Sequence, residues 1–486
     1  MPEENISLKK KTITSLLWKF AERIGAQGVK LVVSLIIARL VLPEDYGIIA
    51  LVSVFITILN VFVDSGLGTA PIQKDNADDL DFSSVFYFNV VMCSLLYIIM
   101  FLSAPVIAKF YNNESLVPVV RVLSITIIIS GLKDVQRAYV SRKLIFKKFF
   151  FSTLGGTLGA AVVGIVLAYK GYGVWALVAQ QLFNLAVDTF VLWITVKWRP
   201  LWKFSFSRLK MLFSYGWKLL VSTLLNTVYM DIRSLIIGKK YSSSDLGFFN
   251  KGKELPNFIV TNVNSSIDSV LLPVMSKVQN EKERMKYMTQ TSIMVSSFIM
   301  WPLMAGLAAT GKTLIPLLLT DKWNFCIPYL YIFCFTYGTE PLTTANLNAI
   351  KAIGRSDLIL RMEIIKKITG IIMIFGAMHF GVFAIALTEI LYNFFAIVVN
   401  TYPNKKLLNY SLWEMIKDIF PSFLIALIMF GFVYALNWLP FDMIWIFLLQ
   451  IVVGMVVYFL FSWIFKLKVF YYLLSIIKNI IHSKTK

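Results

Sequence analysis

Long apolar stretches separated by short polar breaks run through the whole chain. A helix crossing a bilayer's hydrocarbon core needs roughly 20 mostly apolar residues. Fourteen segments meet that need: residues 12–38, 46–69, 82–108, 116–136, 149–169, 172–196, 211–238, 248–275, 287–310, 327–350, 358–379, 382–402, 413–437 and 443–465. The eighth is the most interrupted, by Lys251, Lys253, Glu254 and Asp268. After the last, Lys alternates with Ile, Leu and Tyr from Lys466 to Lys486, the pattern of a basic amphipathic helix on a membrane surface. The pattern predicts an all-α membrane protein with about 14 transmembrane helices.

Composition agrees. The 486 residues are 58% hydrophobic and 15% charged, against about 45–50% and about 25% in soluble proteins. This excludes a water-soluble globular protein, and disorder requires the opposite bias. The three cysteines, Cys93, Cys326 and Cys334, make no disulfide framework, and His379 and His482 are too few for a histidine-built metal or catalytic centre. No cofactor or metal is expected. The net charge of +20 would suggest nucleic acid in a soluble protein. Here Lys and Arg gather in alternate connections, such as Lys133–Lys148 and Lys197–Lys210, and in the tail. Cytoplasmic loops collect such residues, so both termini are expected in the cytoplasm, with no nucleic-acid partner. The acidic stretch Lys74–Asp81 dissents. No short apolar core with a small-residue cleavage site follows Met1–Lys11, so the first span is expected to remain as an anchor.

The chain also repeats itself. Trp18-Lys19 returns as Trp217-Lys218, Asp45-Tyr46-Gly47 as Asp245-Leu246-Gly247, Pro71 as Pro273, and Gly173-Val174-Trp175-Ala176-Leu177 as Gly381-Val382-Phe383-Ala384-Ile385. The offsets are 199, 200, 202 and 208, in constant order. Six spans per copy is an even number, so both copies enter the membrane from the same side. Such repeats are related by an axis along the membrane normal, as in two-lobed transporters. The expected division is an N-terminal lobe over 1–200, a C-terminal lobe over 201–404, two further helices over 405–465 and a basic cytoplasmic tail over 466–486.

Charge inside a span is costly and usually faces a cavity or a partner. Span one carries Lys19, Glu22, Arg23, Gln27 and Lys30, and positions 19, 23, 27 and 30 share one helical face. Span seven carries Lys218, Ser222, Asn226, Tyr229, Asp231 and Arg233. The repeat equates Lys19 with Lys218 and Gln27 with Asn226. The two stripes would therefore face one central, mainly cationic cavity suited to an anionic, hydroxyl-rich substrate. The substrate-binding candidates are Arg23, Lys30, Gln27, Asn226, Lys19, Lys218 and Arg233. Alternatively, Lys19 and Lys218 snorkel to the interface and Glu22 neutralises Arg23. Asp64, Asp188, Asp268, Glu340 and Glu389 either pair with such cations or bind a proton or sodium. Asp64, Glu22, Asp231 and Glu340 are the ion-coupling candidates. Gly306–Thr313 matches the P-loop pattern but ends an apolar span, where no strand feeds a helix. Asp79-Leu80-Asp81 reads as a solvated loop, and Gly155 with Gly159 as a helix-packing GxxxG.

The segments Ala38-Arg39-Leu40-Val41-Leu42-Pro43-Glu44-Asp45-Tyr46-Gly47 and Asp64-Ser65-Gly66-Leu67-Gly68-Thr69-Ala70, then Gln73, resemble signatures of the Wzx-type polysaccharide flippases of the MOP superfamily. Arg121-Val122-Leu123-Ser124 and Arg142-Lys143-Leu144-Ile145-Phe146-Lys147 fit the same family. The resemblance is clearest over residues 10–200. It implies two six-helix lobes plus two C-terminal helices, and no enzymatic activity. It also implies that undecaprenyl-pyrophosphate-linked oligosaccharides cross the bacterial inner (cytoplasmic) membrane by alternating access, for capsule, O-antigen or exopolysaccharide synthesis. Membrane lipid, a coupling Na+ or H+ and a polysaccharide polymerase are the implied partners. The rival readings are a peptidoglycan-precursor flippase and a cation-coupled drug exporter of the same superfamily. Short outer loops without an acid–base pair disfavour a membrane-embedded sugar polymerase.

Overall fold

The computed structural model describes residues 25–64, 77–143, 145 and 147–484. They form helices without a strand among the described residues. In chain order these are α1 (residues 25–40), α2 (Pro43–Asp64), α3 (Asp79–Tyr111), α4 (Leu116–Leu123), α5 (Ile125–Lys143), α6 (Lys147–Tyr169), α7 (Val174–Thr195), α8 (Phe206–Lys240) and α9 (Ser243–Ser276). There follow α10 (Lys282–Leu319), α11 (Ile327–Gly338), α12 (Glu340–Ala352), α13 (Ser356–Ala377), α14 (Val382–Leu408), α15 (Leu412–Ala435), α16 (Met443–Ile464) and α17 (Lys468–Lys484). The architecture is all-α. Among the described residues, 11 helical spans are long and apolar enough to cross a membrane. Span one lies partly outside the described residues. Span eleven, α13, carries Asp357, Arg361, Glu363, Lys366 and Lys367, which lower its hydropathy.

Spans four and ten are each broken in two. In span four, α4 gives way to α5 at Ser124, where the Thr126 hydroxyl bonds the Leu123 carbonyl at 2.6 Å and competes with the backbone ladder. In span ten, α11 ends at Gly338 and α12 restarts at Glu340-Pro341, whose proline has no N–H to continue the helix. The two copies of the Gly-Val motif also share a backbone state. Gly173 and Gly381 each precede a helix at positive φ, 52° and 102°, which favours glycine.

The chain forms two compact units, one running to Gly247 and one from Phe248. In the first, α8 packs against α2 and α3. The core below α3 is built from Phe82, Val85, Phe86, Val135, Leu192 and Trp198. Helices α6 and α7 pair closely because Gly156, Gly159 and Gly164 leave room for Asn184, Phe183 and Gln180. Small residues let helix backbones approach where lipid supplies no hydrophobic drive. Gly155, half of the expected GxxxG, faces open space, so Gly156 takes its place in the contact. In the second unit, α10, α15 and α16 pack together around Phe298, Trp301, Met429 and Tyr458. The P-loop-like run Gly306–Thr313 lies inside the continuous helix α10.

The dissenting acidic loop has a partner. Arg208 pairs with Asp78 at 2.5 Å and Asp81 at 3.4 Å. Trp198 Nε1 donates to Asp79 at 3.1 Å, and the backbone N–H groups of Leu201 and Ser205 donate to Ser83 and Ser84. The acidic start of α3 and the basic 197–208 connection therefore share one membrane face, and each neutralises part of the other. Asp78 also caps α3 in a reciprocal capping box with Asp81. The Arg208 guanidinium holds the Asp78 carboxyl below the usual carboxylate range.

Candidate functional site

Polar side chains at helical spacing on five helices converge on one cleft of 620 Å³ in the first unit. Helix α1 supplies Lys30, and α2 supplies Ser53, Thr57 and Asn60. Helix α5 supplies Thr126, Ser130, Lys133, Arg137 and Ser141, steps of three and four that place all five on one face. Thr153 comes from α6, and Gln181, Asn184 and Asp188 from α7. A hydrocarbon-embedded bundle supports such a surface only around a cavity or a bound polar group.

Lys133 Nζ is paired with Asp188 Oδ2. The second carboxylate oxygen, Asp188 Oδ1, is buried without a hydrogen-bond partner, as is Asn60 Oδ1. Lys30 and Arg137 are exposed. Also on α5 but outside the cleft lining, Asp134 is 7% exposed and accepts from Asn89 Nδ2 at 3.4 Å. Asp64, at the end of α2, and Asp134 both lie within electrostatic reach of Lys133, Arg137 and each other. The arrangement offers cations, hydroxyls and amides to an anionic, hydroxyl-rich group, with one cation, Lys133, paired to a carboxylate.

Of the residues singled out from sequence, Lys30 and Asp188 line this cleft and Asp64 lies beside its cations. Gln27, on the same helix, buries its Oε1 without a partner. Lys19, Glu22 and Arg23 lie outside the described residues, as does the side chain of Lys218. Asn226 is exposed on α8, Asp231 is half-buried, and Arg233 is buried. None of these three lines the cleft. Glu340 belongs to a second cluster, in the other unit, where Lys366, Glu389 and Asp268 reach it electrostatically. There Lys366 pairs with Glu363 at 2.5 Å, and Asn348 donates to Asp268 at 2.5 Å.

Sequence reasoning missed Lys133, Arg137, Asn60, Gln181 and Asn184 as cleft residues. The signal was present, since positions 126, 130, 133, 137 and 141 form a polar stripe. It was hidden because Lys133 and Arg137 straddle the end of the span and read as part of a basic loop. The second unit also carries an apolar groove of 660 Å³ between α10, α15 and α16, lined by residues such as Leu303, Leu307, Val433, Ile451 and Phe459.

Comparison with known proteins gives a consistent result. The family model described as polysaccharide biosynthesis protein matches residues 36–328. The succinoglycan biosynthesis transport protein ExoT of Rhizobium meliloti (strain 1021) is 23% identical over 384 residues, 78% of this chain and 76% of that protein. The teichuronic acid biosynthesis protein TuaB of Bacillus subtilis (strain 168) is 26% identical over 66% of each chain. The lipopolysaccharide biosynthesis protein WzxC of Escherichia coli (strain K12) is 22% identical over 74% of each. Among solved structures, the lipid II flippase MurJ in an inward closed conformation superposes with a TM-score of 0.72 at 17% identity, covering 93% of this chain and 98% of that one. An inward-facing multidrug-resistance MATE transporter of the MOP superfamily gives 0.61 at 14%, covering 81% and 98%. The chain shares its fold with these transporters, and with the family model spanning more than half of its length it belongs to the polysaccharide biosynthesis protein family.

Proposed function

We propose that the protein is a flippase. It moves undecaprenyl-pyrophosphate-linked oligosaccharide units across the bacterial inner membrane by alternating access, for capsule, O-antigen or exopolysaccharide synthesis. The observation that carries this reading is the cleft holding Lys30, Lys133 and Arg137 among hydroxyls and amides. A pyrophosphate drawn from water into a low-dielectric site must be paired there, because its desolvation cost is otherwise large. Sugars need hydrogen-bond partners, which Asn60, Gln181, Asn184 and the cleft hydroxyls supply. The hydrocarbon tail stays in lipid.

The same geometry bears on coupling. Asp188 pairs with Lys133, and Asp64 and Asp134 lie within electrostatic reach of Lys133 and Arg137. An entering pyrophosphate competes for Lys133 and Arg137 and leaves a carboxylate in need of a new counter-charge. A proton or sodium ion fills that role at Asp188 or Asp64. Glu22, Asp231 and Glu340 remain coupling candidates outside this cleft. Arg23, Gln27, Lys19, Lys218, Asn226 and Arg233 extend the substrate path along spans one and seven if those stripes face a shared cavity. In this reading the lobes are 1–200 and 201–404, related by the internal repeat. Both termini are cytoplasmic, and a polysaccharide polymerase receives the cargo.

The cationic cleft speaks against a cation exporter, whose site should be acidic or aromatic. The test is complementation in two hosts. Restored surface polysaccharide in a strain lacking its own Wzx supports the proposal. Rescue only of a strain depleted in peptidoglycan-precursor flipping replaces the cargo, and rescue of neither refutes the reading.

A further inference from the structure

We propose that the corner between α15 and the start of α17 is a binding site for the headgroup of an anionic phospholipid, separate from the cargo cleft. A recess of 450 Å³ opens there, lined by Lys417 on α15, by Lys466, and by Lys468 at the start of α17. This size lies within the ~300–1,000 Å³ of ordinary small-ligand sites. Its other wall is apolar and includes Phe420, Pro421, Leu424, Ile425 and Phe465. Three ammonium groups beside a hydrocarbon-compatible wall match a phosphodiester carrying acyl chains. They do not match a wholly water-soluble anion, which has no use for the wall.

The recess holds one acid, Asp418, and it is already engaged. Its Oδ2 accepts from Gln290 Nε2 at 2.9 Å and from the Tyr410 hydroxyl at 2.6 Å. The nearby Glu414 is held by Lys286 at 3.2 Å and by the Ser411 cap. Among the described residues, Lys417, Lys466 and Lys468 make no ion pair, although Lys417 Nζ stands 5.9 Å over the exposed Trp413 ring. Lys466 occupies the left-handed region at φ 49°, where the chain turns from α16 into α17. Glycine or asparagine is the usual residue at such a helix end, as at Asn112 and Asn409 elsewhere in this chain. A lysine there carries backbone strain that glycine would not. The position is also fixed: Leu467 and Val469 are buried in the core, and Phe470 packs on Phe298 and Phe459. The bound phosphate would therefore bridge the tail helix to the bundle at the membrane surface.

Each lysine near an anionic headgroup contributes about a fivefold gain in affinity, so three together give a preference on the order of a hundredfold over a zwitterionic lipid. The experiment titrates the purified full-length protein, in a neutral detergent, with phosphatidylglycerol, phosphatidylcholine, inorganic phosphate and a polyprenyl phosphate, read by native mass spectrometry. Phosphatidylglycerol is expected to bind one to one and to be retained far better than phosphatidylcholine or inorganic phosphate. The triple variant Lys417→Gln, Lys466→Gln, Lys468→Gln should lose that preference. Lys417→Gln alone, on an exposed position that does not disturb the turn, should weaken it about fivefold. Lys405→Gln should leave it unchanged. Equal retention of the two phospholipids, or a Lys417→Gln variant with undiminished preference, overturns the assignment. Displacement by polyprenyl phosphate at equal concentration also overturns it, making the corner a cargo entrance. None of these results bears on Lys133 or Arg137, so the flippase reading stands or falls separately.

Discussion

Substituting Gly47 by alanine tests how the two copies of the Asp-x-Gly motif meet. A Cβ at Gly47 would lie 1.7 Å from the Ser243 carbonyl oxygen, and one at Gly247 would lie 2.1 Å from the Pro43 carbonyl oxygen. The contact is reciprocal: each glycine at the start of its helix, α2 or α9, receives the backbone that opens the other. Ordinary contact begins near 3.4 Å, so the two backbones must separate by about 1.7 Å for Gly47→Ala and about 1.3 Å for Gly247→Ala. The obstacle is backbone in both cases and cannot rotate away. Overpacking of this kind costs about 1–3 kcal/mol, and alanine's better helix propensity returns at most about 1 kcal/mol. The net loss should be about 1–2 kcal/mol, a fall in melting temperature of about 2–8 °C at this domain size. The assay is thermal unfolding of the purified protein in detergent. Gly155→Ala and Gly376→Ala, where nothing lies within 4 Å of the added carbon, are the controls and should be neutral or slightly stabilising. A Gly47→Ala protein as stable as Gly155→Ala would refute the packing argument, because no arrangement with those two backbones in contact accommodates the extra atom.

Three further outcomes follow from the cleft and the paired loops. Lys133→Ala strands the Asp188 carboxylate, whose side chain is only 8% exposed; discounted for the open cleft, the loss should be about 1–2 kcal/mol, and adding Asp188→Asn should restore stability without restoring export. Arg137→Ala and Lys30→Ala remove exposed cleft cations, so polysaccharide export should fall while membrane protein level and melting temperature hold; Lys30→Glu should export less than Lys30→Ala, and unchanged export in all of them removes these residues from the cargo path. Asp78 has its carboxyl held low by Arg208, so its contribution is present above the unfolded value of about 3.9 and is lost as pH falls through the lower folded value; Arg208→Ala should flatten the acid limb of the stability profile between about pH 5 and pH 2, and an unchanged limb would show the pair to be inert.

The sequence carried the architecture because the bilayer imposes it: length and apolar content decide what crosses, and that information is local. The recurrence of the Asp-x-Gly motif was legible too, since Asp45–Gly47 and Asp245–Gly247 align directly in the sequence. That the two glycines touch was not legible, because contact between positions 200 residues apart depends on the path of α8 and the start of α9. The site shows where this boundary falls. Lys30 was singled out because a lysine deep in an apolar span usually faces a cavity or a partner. Lys133 and Arg137 were passed over because, at the end of a span, a cation needs none: snorkelling accounts for it. Only the spacing of Thr126, Ser130, Lys133, Arg137 and Ser141 distinguishes a cleft wall from a loop, and it does so once the same helical face is seen opposite Asn60 and Asp188. The acidic loop failed in the converse way. Counted alone, Asp78 to Asp81 opposed the topology; paired with Arg208 and Trp198 they belong to the basic face. Charges near a membrane surface thus carry meaning in pairs across the fold, which a single strand of sequence presents one at a time.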